Sequence, residues 1–269
     1  MAISLANLER RTASKPPRVL IYGPPGLGKT TLASEFPNPV FVQVEDGTPG
    51  GGMELVSFGD MGSFADVMSA LSALLDTASH DFQTVVIDSL DKLEPLVWAQ
   101  TCADNDWKNI EAAGYGKGYV ATDAIWREYL ALCKDLRAGG LTTIHIAHSA
   151  VDRFDDPQTQ SYSRYDIRLH KRALALFQDE MDAILFLNQD ATIRVDDIKE
   201  VKVSGQKIVK KDVKGVGGGT RWIYAEGRPS FVAKNRYGLP DKVQYQLGSG
   251  YAALAPYLPG VPALSQAAE

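Results

Sequence analysis

Residues 23–31 read GPPGLGKTT, set between the apolar run RVLIY (18–22) and LASEF (32–36). The spacing Gly23-x4-Gly28-Lys29-Thr30 is the phosphate-binding pattern G-x-x-x-x-G-K-[ST]. Its context fits: a short β-favouring stretch leads in and a helix start follows. Glycines let the backbone curl until several N–H groups point at one phosphate chain. The helix start adds partial positive charge at the same place. The whole stretch, Gly23, Pro24, Pro25, Gly26, Leu27, Gly28, Lys29, Thr30 and Thr31, is therefore expected to hold a nucleotide. Lys29 is expected on the β- and γ-phosphates and the Thr30 hydroxyl on Mg²⁺, which makes ATP and Mg²⁺ the expected ligands.

A P-loop needs carboxylates to order its metal and its water. TVVIDS (84–89) is a β-favouring run that ends in Asp88, the expected metal-ordering residue at the carboxyl edge of a buried strand. The plain alternative is an Asp that caps the helix starting near Ser89. The next residue is Ser89, where many AAA+ ATPases carry a water-activating Glu. The base must then come from elsewhere. VFVQVEDG (40–47) is a second apolar strand ending in carboxylates, and Glu45 is the expected general base, with Asp46 as the fallback. An ordinary acidic turn before Gly47 is the competing reading. A fourth strand, LTTIHIAHS (141–149), ends in His148, which is expected to hydrogen-bond the γ-phosphate; His145, inside the run, is expected in the core.

In this order the pieces resemble the RecA-like ATPases, and more narrowly the phage-encoded minimal RecA-like ATPases of single-strand annealing and recombination. VAKNRYGLP (232–240) joins the four stretches above in carrying the resemblance, which spans about residues 18–245. It implies an α/β fold with a mostly parallel twisted sheet flanked by helices. It implies that Lys234 and Arg236 match a late Lys-x-Lys that reaches across a subunit interface to the neighbour's ATP, as an arginine finger does. A pair of solvated surface cations is the alternative. It further implies two DNA-binding segments. One is GYGKGY (114–119), before an amphipathic helix bearing Ile125, Trp126, Tyr129, Leu130, Leu132, Cys133 and Leu136. The other is the long loop 150–170, where Arg153, Arg164 and Arg168 interleave with Phe154, Tyr162 and Tyr165, but also with four aspartates. Single-stranded DNA, further copies of this chain in a ring or filament, and a single-strand-binding protein are the implied partners.

The rest of the chain bounds these readings. Its 269 residues, 45% hydrophobic and 23% charged, suit one α/β core with an insertion. A net charge of −5 confines any nucleic-acid site to a local patch. Cys102 and Cys133 form no ligand pattern and are expected to be reduced thiols. No apolar run is long enough to span a membrane and the N-terminus lacks a signal-peptide block, so the expected location is the cytoplasm, that of a bacterial host if the gene belongs to a phage. The domain reading is a flexible arm at 1–17, an ATPase domain at 18–255 and a flexible tail at 256–269. A helix is expected over 169–181 and a strand over 183–187. Residues 196–214 carry six lysines around Ser204-Gly205 and predict a β-hairpin insertion, followed by a glycine hinge at 215–219 and strands at 222–224 and 230–232. Two other classes compete: an ATP-driven regulatory or assembly switch, KaiC- or AAA+-like, acting on protein partners without DNA, and a small-molecule kinase, which the lack of an arginine-rich lid disfavours.

Overall fold

The computed structural model describes residues 15–45, 54–203 and 206–260, with the backbone alone described over 191–218. β1 (Arg18–Gly23) and β4 (Thr84–Asp88) are apolar runs without alternation, and both are buried along nearly their whole length. Burial on both faces is what a central parallel strand requires. Together with β2 (Pro39–Gln43), β3 (Ser57–Asp60), β5 (Thr142–Phe154) and β7 (Ala183–Val203), they form a parallel array in the order β3-β2-β4-β5-β1-β7. β8 (Gln206–Tyr224) and β10 (Lys242–Tyr245) continue the sheet antiparallel beyond β7. The architecture is the expected α/β fold with a mostly parallel sheet.

Alternation along each strand divides the core into two layers. Leu20 and Tyr22 of β1 face α2 (Phe64–Ala73), α3 (Leu90–Asp104), α4 (Lys117–Ala138) and α5 (Lys171–Glu180). Val19 and Ile21 face α1 (Lys29–Ser34) and α6 (Gly250–Leu254). The predicted stripe on α4 is buried at Ile125, Trp126, Tyr129, Cys133 and Leu136, with Trp126 edge-on to Phe177 of α5 at 5.2 Å. His145 is fully buried against Tyr129 and Phe177, and burial pulls its imidazole down to about 3. It is the core histidine the sequence suggests. Cys102 and Cys133 are free thiols. Among the described residues no helix is long and apolar enough to cross a membrane.

One expectation is extended and two change. The hairpin read at 196–214 is present as the outer part of a longer ribbon. β7 and β8 run unbroken from the core out to Val203 and back from Gln206, so the strands read at 183–187 and 222–224 are the roots of one ribbon and the expected hinge lies inside β8. Antiparallel pairing tolerates glycine where the backbone alone makes the ladder. Ser204-Gly205 lies outside the described residues. The loop read at 150–170 is mostly a second hairpin: β5 runs on to Phe154 and pairs with β6 (Tyr162–Ile167). Its polar alternation hides it from a search for apolar strands. The strand read at 230–232 is reduced to isolated bridges at Phe231, with a two-residue β9 (Lys234–Asn235) after it. At the other end, a short 3-10 turn (Ala255–Tyr257) follows α6 and Leu258 is buried. Residues 1–14 and 261–269 of the expected arm and tail lie outside the described residues.

Candidate functional site

The carboxyl ends of β1, β4 and β5 meet at one cavity of about 450 Å³. Parallel pairing puts Gly23 level with His148, and Asp88 level with Ile146 and Gln43, so the loops after these strands converge by register. The P-loop supplies the floor through Pro25, Gly26, Gly28, Lys29, Thr30 and Thr31. Leu27 turns inward and packs in the core. Gly28 has φ 95°, so glycine is favoured there by conformation; a Cβ would also press on the mobile end of Leu247 at 2.6 Å. Glu45, Asp88 and His148 form the opposite wall.

Lys29 Nζ donates to the carbonyls of Gly23 and Pro24 at 3.1 and 3.0 Å. The Thr30 hydroxyl donates to Asp88 Oδ2 at 2.8 Å. Burial lowers the Lys29 ammonium against the pull of Asp88, Asp91 and Glu45. Burial likewise raises the Asp88 carboxyl, with Thr30 and Lys29 opposing and Glu45 adding to the rise. The cavity is lined by two carboxylates, Glu45 and Asp88, and by the cations Lys29 and Arg221. Thr30 and Asp88 offer a hydroxyl and one carboxylate, the hard oxygen set with few protein ligands that suits Mg²⁺ when phosphate oxygens complete the shell. Among the described residues no three His, Cys, Asp or Glu side chains cluster as a metal cage. Glu45 sits 3.8 Å from Lys92 Nζ and reaches the same cavity, whereas Asp46, the fallback base, lies outside the described residues.

His148 is held by a residue the sequence reading passed over. Asp91, in the first turn of α3, accepts the backbone N–H of His148 at 2.9 Å and contacts its Nδ1 at 3.0 Å. Burial works to raise the Asp91 carboxyl, but its hydrogen bonds with the ring and backbone of His148 outweigh it and keep it below the ordinary range. Arg221 of β8 and Leu247 also line the cavity, and neither stands out in the sequence. Arg221 Nε is buried without a hydrogen-bond partner. Tyr245 donates its hydroxyl to the Gly28 carbonyl at 3.1 Å, which brings the last strand against the P-loop. The T-R-W-I-Y run gives no local sign that its arginine faces a site 190 residues upstream.

Lys234 and Arg236 lie apart from this cavity. β9 pairs with Ala183 and Ile184, level with the start of β1 rather than its P-loop end. Lys234 Nζ donates to the Gln178 carbonyl at 2.6 Å, and Arg236 bonds Asp182 at 3.1 Å. Of the segments read for DNA, Gly114 and Gly116 have positive φ and α4 begins at Lys117, so the second half of GYGKGY is helical. Tyr115 is fully exposed, while the Tyr119 ring stacks on His170 at 4.2 Å. On the β5–β6 hairpin, Arg153 pairs with Asp155, Arg164 lies over the Phe154 ring at 4.0 Å and pairs with Asp166, and Arg168 sits 3.6 Å from Asp91.

A protein-family model described as an AAA domain (AAA_24) matches residues 15–237. The chain belongs to this family. The AAA-domain match takes in the P-loop, Glu45, Asp88, His148, Lys234 and Arg236, and stops before Tyr245 and Leu247. The family is one of nucleotide-binding P-loop ATPases. Among solved structures, the crystal structure of the RadB recombinase is similar over 65% of this chain and 76% of that one, at 17% identity and a TM-score of 0.40. No curated protein matches the chain.

Proposed function

We propose that this AAA-domain protein is a RecA-like ATPase that hydrolyses ATP with Mg²⁺ and couples the nucleotide state to single-stranded DNA in annealing or recombination. The observation that carries the proposal is the meeting of Lys29, Thr30, Asp88, Glu45 and His148 in one cavity. In this reading Lys29 binds the outer phosphates, Thr30 and Asp88 hold Mg²⁺, and Glu45 takes the proton of the attacking water. Mg²⁺ supplies charge neutralisation at the phosphates. Support for DNA comes from the β5–β6 hairpin, which begins one residue after His148 and carries the exposed Arg153, and from the exposed Tyr115. Lys234 and Arg236 act on a neighbouring copy's ATP, which makes assembly a condition of turnover.

The deciding experiment is ATPase rate with and without single-stranded DNA, together with DNA retention at low salt. Stimulation and salt-sensitive retention support the reading. Failure of both, with turnover intact, favours an ATP-driven switch acting on protein partners. Glu45→Gln is expected to bind ATP and lose turnover; turnover that survives removes Glu45 as the base. Mixing Lys29→Ala with Arg236→Ala subunits restores part of the hydrolysis if the late cations act in trans.

A further inference from the structure

The geometry points to Asp91 as a positioning residue that fixes the ring of His148 so that its Nε2 receives a hydrogen bond from the water attacking the γ-phosphate. This rests on the ATPase reading above. Asp91 Oδ1 accepts the backbone N–H of His148 at 2.9 Å, and Nδ1 of the same residue lies 3.2 Å from Oδ1 and 3.0 Å from Oδ2. An Arg168 guanidinium nitrogen is 3.6 Å from Oδ2. The side chain of Asp91 is only 3% exposed. A buried carboxylate flanked by donors is an acceptor, so Nδ1 must carry a hydrogen and donate it. In its neutral form the ring then keeps its lone pair at Nε2, the nitrogen on the far side from Asp91, and the side chain lines the cavity.

A lone pair facing a γ-phosphate oxygen is repulsive, because both are acceptors. A water O–H is its complement. The expected task of His148, to sense the γ-phosphate by donating to it, is therefore replaced by a different one. In hydrolysis the water oxygen bonds phosphorus as the bond to the bridging oxygen of ADP breaks. One water proton passes to Glu45 and on to solvent. His148 Nε2 accepts the other O–H and sets the angle of attack, as an acid–base pair orients a nucleophile. Arg168 also donates its backbone N–H to the His148 carbonyl at 2.9 Å, so the ring, Asp91 and the return of the β5–β6 hairpin form one connected unit.

Asp91→Asn tests this with an isostere. Its Oδ1 can keep the backbone N–H of His148, which leaves the amide nitrogen facing Nδ1 and donating to it. The ring proton is forced to Nε2, the wrong tautomer for accepting from water. The expected result is retained binding of a fluorescent ATP analogue, an ATP-over-ADP preference that is unchanged or higher, and single-turnover hydrolysis reduced about 100-fold. ¹⁵N NMR of histidine-labelled protein, with His148 assigned by its loss in His148→Ala, is expected to show the Nδ1–H tautomer in the wild type and the Nε2–H tautomer in Asp91→Asn. Should Asp91→Asn fold poorly, His148→Ala serves in its place, with the same loss of turnover at unchanged ATP-over-ADP preference. An Nε2–H or doubly protonated ring in the wild type, wild-type turnover in the variants, or a selective loss of ATP over ADP would each overturn the assignment. A wild type that binds no ATP at all overturns the ATPase reading instead.

Discussion

Replacing Asp182 by alanine should destabilise the protein severely, and the structure says by how much. The carboxylate, 6% exposed, receives Arg18 and Arg137 at 3.0 Å each and Arg236 at 3.1 Å. The arginines differ in burial: Arg18 is 11% exposed, Arg137 18% and Arg236 51%. Removing the carboxylate leaves two mostly buried guanidinium groups without this shared anion, which costs about 3–5 kcal/mol. That is a large part of a typical total of about 5–15 kcal/mol. Arg236 is half in water, so Arg236→Ala should cost no more than about 1 kcal/mol. Urea unfolding monitored by fluorescence is the assay. At an m-value of about 3 kcal/mol/M the midpoint of Asp182→Ala falls by about 1–1.7 M. The pH dependence has a definite sign. Burial works to raise the Asp182 carboxyl, but its bonds to Arg18 and the charges of Arg18 and Arg137 hold it below the ordinary range. The stabilisation is therefore present above the unfolded value near 3.9 and is lost as pH falls through the folded one. A loss under about 1 kcal/mol for Asp182→Ala, or one for Arg236→Ala as large as for Asp182→Ala, would refute the reasoning. The second outcome would also mean that Arg236 is too firmly engaged at home to serve a neighbour.

Lys29→Ala should abolish nucleotide binding in a titration with a fluorescent analogue while leaving the melting temperature without nucleotide nearly unchanged. Gly23→Ala places a Cβ 2.1 Å from the Leu187 carbonyl oxygen and should cost about 2–4 kcal/mol or prevent folding, read by circular dichroism melting. Burial raises the Glu94 carboxyl to about 7, with Asp91 adding to the rise and the His170 amide opposing it. A raised folded value favours the protonated form, so this group's contribution is greatest below its unfolded value near 4.3 and is lost as pH climbs through about 7. Glu94→Gln should consequently gain stability relative to wild type at pH 8 compared with pH 5, by up to about 3 kcal/mol, in parallel unfolding curves.

What the sequence made legible was whatever short apolar runs and one spacing rule could carry. β1, β4 and the first half of β5 are buried on both faces; β1 and β4 announce themselves as Val/Ile/Leu runs and β5 through Ile144, Ile146 and Ala147, and the residues at or just beyond their ends, Lys29, Thr30, Asp88 and His148, do share a cavity. Parallel register does that work without any side-chain signal. The β5–β6 hairpin and the length of the β7–β8 ribbon escaped because charged and polar residues interrupt their apolar ones, so no unbroken apolar run marks them. Asp91 escaped because its meaning depends on β5 lying beside α3, a fact of topology. Arg221 and Leu247 escaped for the same reason: only antiparallel pairing of β8 with β10 carries them to the P-loop.

The bond from the Tyr245 hydroxyl to the Gly28 carbonyl joins residues 217 positions apart, and Glu35, which caps the end of α1, accepts the amides of Gly248 and Tyr251. At a synthesis rate of about 5–20 residues per second, a ribosome that has just made Gly28 needs roughly 10–40 seconds more before its partner exists. A nascent chain thus carries its P-loop without the Tyr245 brace and the Leu247 wall until residue 247 has been made.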